Sequence, residues 1–283
     1  FTDLVAGDTN SSQDVFRRLL PGGQTTSVSG VLSDGWSSRP LISALGGWIA
    51  FTSDATNLVA NDTNGREDCF LYDFAGIILV SRNAAGTASA DWHSTCTAVN
   101  ADRGFVVFDS AASDLVANDT NTEPDVFIRE IRPGSTSLVS PNAAGTDSAN
   151  SNSFARNFSS ISRSGRFVVF ESFATNLEGI NSDVAIDVYV RDHCLGTTVL
   201  MNPNLSGTGS GNNESDHARI SLNGRWVVFS SRANNLVAND TNGWIDTFRS
   251  EVPNWGDWGC GALDIFADGF ESGDTTLWSV SVP

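Results

Sequence analysis

The chain has 283 residues, and 40% of them are hydrophobic, which is enough for a folded core. Its formal net charge is −17, and all 16 basic residues are arginine. This balance argues against partners with anionic surfaces, so we expect neither nucleic-acid binding nor attraction to acidic membranes. No stretch is long and apolar enough to insert into a bilayer, whereas bound cations are compatible with the charge.

One polar phrase recurs five times, at intervals of about 54 to 62 residues, near the longer repeats of propeller blades. Each copy has an apolar step, an Asp-x-Asn triplet, three further residues, and an Asp before an aromatic-containing strand. In chain order its polar positions are Asp8, Asn10 and Asp14; Asp62, Asn64 and Asp68; Asp119, Asn121 and Asp125; Asn181, Asp183 and Asp187, where amide and carboxylate are exchanged; and Asp240, Asn242 and Asp246.

Each repeat predicts four short strands, and the fourth copy shows them most clearly. The segments 159–162 and 167–172 predict the first two strands, with Gly165 supplying a positive φ in the turn between them. The segments 188–191 and 197–200 predict the third and fourth strands. Because such an antiparallel blade cannot bury both faces alone, we expect an all-β fold in which blades stack around an axis.

The number of predicted strands leaves the ring incomplete. Third strands occur five times, but first-and-second pairs and fourth strands occur four times each. We expect a five-bladed β-propeller over residues 1–251, with one composite blade that the tail, residues 252–283, closes by pairing with the N-terminal strands. Alternatively, the tail strand completes the open blade of another molecule and forms a homo-oligomer or filament, or the ring is a trimmed, incomplete one.

The four cysteines lack the CxxC spacing of zinc sites, so two disulfides in an oxidising compartment are expected. Three pairings are open in principle. Pairs of Cys69 with Cys96 and of Cys194 with Cys260 would each join neighbouring repeats, and we favour them. The chain begins inside a repeat, which indicates a processed or trimmed product.

The segments ISRSGRFVVFES, SLNGRWVVFSSRANNLVANDTNG and DVYVRD resemble the TolB-type, WD-repeat-like propeller blades of bacterial secreted and periplasmic proteins. The resemblance covers residues 1 to about 250. It implies blade architecture without a particular function, since this superfold hosts enzymes, binders and scaffolds. The segment DIFADGFESGDTTLW, from Asp264 to Trp278, resembles a short C-terminal signature on exported proteins of Gram-negative bacteria. That resemblance implies export, and we expect an extracellular or cell-surface location.

The repeated polar positions have the chemistry of a hard-cation site. Calcium takes six to eight oxygen ligands from carboxylates, amides, backbone carbonyls and water. The three polar side chains of each loop, given above, would supply part of such a set in at least three loops. The alternative is that these residues only stabilise turns, because Asp and Asn side chains bond their own backbone. Five copies with fixed spacing favour Ca²⁺.

Catalysis has little support in the sequence. His93, His193 and His217 occupy non-equivalent repeat positions, and neither a nucleophile elbow nor an HExxH motif appears. We expect a calcium-stabilised, non-catalytic structural or interaction module whose partners are copies of itself, a glycan or a cell-surface protein. Two alternatives stay open: a carbohydrate-binding module that uses loop tryptophans such as Trp92 and Trp244, and an extracellular hydrolase with a unique site on one propeller face.

Overall fold

The computed structural model describes residues 4–100, 104–155, 160–181 and 183–256. The chain divides into two units, Phe1–Pro253 and Asn254–Pro283, and the described part of the second is 254–256 alone. Every regular element in the described residues is a β-strand. A helix with the length and apolar character needed to cross a membrane does not occur among them.

The described strands form five antiparallel sheets in chain order. They are β1 (Phe16–Arg18) and β2 (Thr25–Ser27); β3 (Ser37–Ile42), β4 (Ile49–Ser53), β5 (Asp68–Tyr72) and β6 (Ile77–Leu79); β7 (Ser94–Val99), β8 (Phe105–Ser110), β9 (Asp125–Glu130) and β10 (Ser135–Leu138); β11 (Ser153–Phe154), β12 (Phe167–Ser172), β13 (Asp187–Asp192) and β14 (Thr197–Leu200); and β15 (Ser215–Ile220), β16 (Trp226–Ser231) and β17 (Asp246–Glu251). Each complete sheet is a four-stranded meander, the order of a propeller blade. The predicted all-β fold of four-stranded blades is confirmed.

The two end sheets are shorter than the three inner ones. The first has only β1 and β2, which correspond to the third and fourth strands of a blade, and the fifth has only β15, β16 and β17 within the described residues. This is the distribution of strands that the repeat predicts. The predicted closure of a five-bladed ring depends on residues of the tail, which lie outside the described residues.

A stacked aromatic pair lies across the second and third strands of four sheets. The rings are 5.6–5.7 Å apart, centroid to centroid, and nearly parallel, at 22–24°. In the three inner sheets both rings are buried, because a neighbouring sheet covers each face. The pairs are Phe51 with Phe70, Phe108 with Phe127, Phe170 with Tyr189, and Phe229 with Phe248.

Successive sheets are packed closely at the turn between the first two strands. Glycine is required there for two reasons: its φ is positive, at 74° to 81°, and a Cβ would collide with an aromatic ring of the preceding sheet. The contacts are Gly104 on Trp48, Gly165 on Phe105, and Gly224 on Phe167.

The first strands begin earlier than the sequence indicates. In the fourth sheet the first strand is β11, whereas Ile161, in the predicted segment 159–162, makes only an isolated bridge. The first strands of the second, third and fifth sheets contain a register shift. Arg39 and His217, at two of these shifts, have φ values of 50° and 54°. Such a bulge interrupts the two-residue alternation by which strands are recognised.

Cys69 and Cys96 form the predicted disulfide, with a Cα–Cα distance of 5.0 Å. It joins β5 of the second sheet to β7 of the third, so it links neighbouring repeats as expected. Cys194, in the turn between β13 and β14, is also disulfide-bonded. Its predicted partner, Cys260, lies outside the described residues.

Candidate cation site

The polar phrase forms the loop that leads into the third strand of every sheet. Its last aspartate is the first residue of that strand in four sheets, at Asp68, Asp125, Asp187 and Asp246, and Asp14 lies just before β1. The five loops are therefore equivalent in position, as the spacing predicts.

The last aspartate joins the third strand to the fourth. One of its carboxylate oxygens accepts a hydrogen bond of 2.5–2.6 Å from a side chain two residues beyond the fourth strand. An oxygen of this donor side chain also accepts a hydrogen bond from the backbone N–H of the residue after the aspartate, at 3.0–3.1 Å; it is Oγ of each serine and Oδ1 of the asparagine. We call the position two residues beyond the fourth strand the strand-four serine position. It is occupied by Ser29, Ser81, Ser140 and, in the fourth sheet, Asn202.

The asparagine of the phrase closes the turn. Its Oδ1 accepts the backbone N–H two residues later at 2.7–2.9 Å, which is an Asx turn. Its Nδ2 donates to the last aspartate at 2.7–3.2 Å. The asparagines with this arrangement, all predicted as cation ligands, are Asn10, Asn64, Asn121 and Asn242. Both ends of each amide are therefore already engaged by the protein.

The first aspartate of the phrase, unlike the asparagine, is buried with unpartnered oxygen atoms in the first three loops. Asp8, Asp62 and Asp119 are only 5–7% exposed. Nevertheless, Oδ1 of Asp8, Oδ1 of Asp119 and both carboxylate oxygens of Asp62 have no hydrogen-bond partner. Burying an ionised carboxylate without a partner is strongly unfavourable, so such a group is either protonated or neutralised by a cation.

The electrostatics of the second and third loops agree with this geometry. Burial raises the pKa of Asp119 to about 6 and raises that of Asp62 above its ordinary value, although a nearby serine and a backbone N–H lower each pKa in part. These are Ser148 and Asn121 for Asp119, and Ser89 and Asn64 for Asp62. Burial also raises the pKa of Asp68 and of Asp125 to about 7, and the first aspartate of the same loop adds electrostatic repulsion. In each loop the first aspartate therefore disfavours the ionised form of the last one.

The fourth loop replaces the buried carboxylate with an amide that is fully hydrogen-bonded. Nδ2 of Asn181 donates to the Tyr189 hydroxyl at 2.7 Å and to the Ala174 carbonyl at 3.1 Å, and its Oδ1 accepts from Ser210 at 3.2 Å. Asp183 now takes the turn position and has no amide to offer, so Oδ2 of Asp187 has no partner. Burial raises the pKa of Asp187 to about 7.

The fifth loop is the most open of the five. Asp240 and Asp246 are only partly buried, and Asn242 is exposed. The fifth sheet has no fourth strand among the described residues, so nothing there occupies its strand-four serine position. Asp246 accepts a hydrogen bond from Asn242 at 3.0 Å.

The small number of carboxylates in each loop limits which metal ions the loops can bind. Throughout the described ranges, no group of three or more His, Cys, Asp or Glu side chains is arranged for a metal ion. A cation here would depend on one or two carboxylates together with serine, amide, backbone and water oxygens, a set that Ca²⁺ accepts. Sequence reasoning missed the strand-four serine position, although a serine after the fourth strand recurs in the first three repeats.

The residues considered for sugar binding and hydrolysis differ in how exposed they are. The Arg66 guanidinium lies 3.6 Å from the centroid of the Trp92 ring, whereas Trp244, in the fifth loop, is 78% exposed. His193 is partly buried, and burial lowers its pKa. Nδ1 of His217 is 2.7 Å from Oδ1 of Asp216 at an exposed position.

No protein-family model matches the chain, and no curated protein matches it. Among solved structures, a putative TolB from Agrobacterium tumefaciens is 15% identical with a TM-score of 0.46, over 85% of this chain and 76% of that one. The tricorn protease is 13% identical with a TM-score of 0.45, over 77% of this chain and 17% of that one. An oligogalacturonate lyase in complex with manganese is 11% identical with a TM-score of 0.44, over 85% and 54%. These likenesses are too distant to carry a function.

Proposed function

We propose that this protein is a non-catalytic scaffold of stacked β-sheets that acts outside the cell and binds Ca²⁺ in its inter-strand loops. One observation carries the proposal: Asp8, Asp62 and Asp119 are buried at equivalent positions, and each has carboxylate oxygen without a hydrogen-bond partner. A bound cation would supply the missing positive charge and would hold each loop against its sheet.

Calcium suits these loops better than the other common divalent cations. It accepts irregular sets of oxygen ligands and flexible geometry, whereas Mg²⁺ demands near-octahedral geometry and zinc prefers nitrogen and sulfur. Asp62 with Asp68, and Asp119 with Asp125, would hold the ion in the second and third loops, and Asp8 in the first. The proposal therefore covers fewer residues than the sequence predicts, because the fourth loop satisfies its buried position with Asn181.

Repetition and the disulfide support a structural role outside the cell. The same arrangement recurs in three loops, whereas an active site is normally unique in a chain. The Cys69–Cys96 disulfide is typical of an oxidising compartment, and extracellular modules work with weak calcium sites, since free calcium is abundant there. Copies of the same chain, a glycan or a cell-surface protein would be the partners of such a scaffold.

Thermal unfolding in calcium and in chelator tests the proposal. We expect the melting temperature to fall on chelation, because a ligand at a hundredfold its Kd stabilises the folded state by about 2.7 kcal/mol per site. Asp119→Asn should remove part of this calcium-dependent shift. In chelator the same variant should be at least as stable as the unsubstituted protein, since an amide replaces an unpartnered buried charge.

Asp240→Asn in the open fifth loop is the matched control and should leave the calcium-dependent shift unchanged. An unchanged melting temperature of the unsubstituted protein on chelation would overturn calcium stabilisation. A shift that Asp119→Asn and Asp240→Asn diminish equally would place the ion elsewhere.

A further inference from the structure

A pocket between the second and third sheets contains two arginines, in a chain whose net charge is −17. Its volume is about 590 Å³, which is within the size range of small-molecule sites. The arginines are Arg82, in the loop after β6, and Arg129, on β9. The described residues that line this pocket include none of the predicted cation ligands, so the pocket is separate from the proposed calcium sites.

Arg82 is an exception to the repeat. The residue after the strand-four serine position is Arg82 in the second sheet, but it is proline in the third and fourth sheets. The three loops nevertheless form the same turn, in which the N–H of the fifth residue donates to the carbonyl of the second at 2.8 Å. Their sequences are RNAAGTAS from residue 82, PNAAGTDS from residue 141 and PNLSGTGS from residue 203. The turn therefore does not require an arginine.

The Arg82 guanidinium is held in its loop but is only partly hydrogen-bonded. Nη2 donates to the carbonyl of Gly86, four residues later. Nε is buried and has no hydrogen-bond partner. A buried donor of a charged group is unfavourable without an acceptor, so this nitrogen would gain from an acceptor that a ligand supplies.

Arg129 adds a second positive charge to the same pocket. It is only 8% exposed, and its Nη1 donates to the Thr136 hydroxyl at 2.8 Å. Burial lowers the pKa of Arg129, and the positive charge of Arg82 lowers it further. Within the described ranges neither arginine forms an ion pair with a carboxylate. Because buried arginine is normally paired, the two side chains favour an anion in this pocket.

The equivalent positions of the third and fourth sheets do not concentrate positive charge in this way. One arginine is conserved in position there, four residues after the last aspartate of the loop. The other is replaced by proline, and an apolar residue of the pocket wall is replaced by an acid. The equivalents are Arg191 for Arg129, Pro141 for Arg82 and Glu178 for Val116.

We propose that this pocket binds a small organic monocarboxylate whose oxygens accept hydrogen bonds from Arg82 and Arg129. The planar guanidinium group matches the geometry of a carboxylate. Val116 and Ile131 also line the pocket and would contact an apolar part of the ligand. A single charge is favoured, because a net charge of −17 repels an anion more strongly as the charge of that anion increases.

NMR titration of the full chain with benzoate tests the proposal, since benzoate joins a carboxylate to a compact apolar ring. Benzamide is the neutral counterpart, and the buffer contains neither carboxylates nor phosphate. We expect benzoate to shift the Nε–H signals of Arg82 and Arg129, with saturation in the millimolar range typical of so small a ligand. Benzamide should bind at least about tenfold more weakly, because it has no charge to pair with the arginines.

Two variants of Arg82 identify its signal and test its role. Arg82→Pro introduces the residue that the third and fourth sheets have at this position, whereas Arg82→Gln keeps the backbone N–H that donates to Val80. Both should weaken benzoate binding at least about tenfold, with little change in melting temperature. Arg232→Gln is the matched control, because it removes the same charge from an exposed position just after β16, and it should leave benzoate binding unchanged.

The proposal would be overturned if benzamide bound as tightly as benzoate, or if a folded Arg82→Gln variant bound benzoate as well as the unsubstituted protein does. Equal weakening by Arg82→Gln and Arg232→Gln would also contradict it, because the effect would then come from net charge alone. Inorganic phosphate is the third probe. Tighter binding of phosphate than of benzoate at the same arginine signals would exclude a monocarboxylate site, as would the absence of any shift up to the solubility limit of benzoate.

Discussion

The third and fourth loops differ by the exchange of one carboxylate and one amide, with different consequences for buried charge. In the third loop Asp119 is buried with an unpartnered oxygen, whereas Asp125 accepts from Ser140 at 2.6 Å and from Asn121 at 3.2 Å. In the fourth loop Asn181 is fully hydrogen-bonded, and the unpartnered oxygen belongs to Asp187. The exchange therefore moves the unsatisfied carboxylate oxygen from the start of the loop to its end.

A second difference accompanies the exchange. The aromatic residue on the third strand is Phe127 in the third sheet and Tyr189 in the fourth, and the two stack on Phe108 and Phe170 in the same way. Only the tyrosine has a hydroxyl group, which accepts from Asn181 at 2.7 Å. In the fourth sheet the amide at the start of the loop is therefore paired with a hydroxyl group on the third strand. The third sheet has a carboxylate and a phenylalanine at the same two positions.

The largest effect expected from this comparison is that of removing the last aspartate. Asp125→Ala leaves Ser140 and Asn121 without their shared acceptor in a buried place, and we expect it to lower the free energy of unfolding by about 2–4 kcal/mol. Asp187→Ala should cost less, because one of its oxygens is already unpartnered and buried. Urea denaturation in chelator-containing buffer measures both without a contribution from bound cations. Equal losses would mean that hydrogen bonding does not distinguish the two loops.

The sequence predicted those parts of this arrangement that are local in the chain. The Asp that opens each third strand, the aromatic residue two positions later and the turn at Gly165 follow from spacing and from backbone requirements. The strand-four serine position was not recognised, because a single serine after a strand is common and its acceptor, such as Asp125, is 15 residues away. The bulged first strands were misplaced because their alternation is interrupted.

A smaller effect is expected when the fourth loop is given the charge of the third. Asn181→Asp places a carboxylate where an amide now donates to Tyr189 and Ala174. The Tyr189 hydroxyl can turn to donate to the carboxylate, but the Ala174 carbonyl loses the amide donor and a charge is buried. We expect a loss of about 2–3 kcal/mol in the free energy of unfolding, again measured by urea denaturation in chelator. Asp119→Asn is the reciprocal change and should not destabilise the chelated protein. Destabilisation by both changes to the same extent would show that the loops are not comparable.

The smallest effect concerns the hydroxyl group that separates the two aromatic residues. Tyr189→Phe removes one acceptor of Asn181, while the Ala174 carbonyl remains, so a loss of about 1 kcal/mol is expected. Phe127→Tyr in the third sheet would bring a hydroxyl donor towards Asp119, whose Oδ1 lacks a partner. In chelator this variant should therefore be at least as stable as the unsubstituted protein, and in calcium it should show a smaller calcium-dependent shift, because the hydroxyl competes for the same oxygen. If Phe127→Tyr lowers stability in chelator as much as Tyr189→Phe does, the first position of the third loop does not need a donor, and its buried carboxylate must be neutral in the absence of a cation.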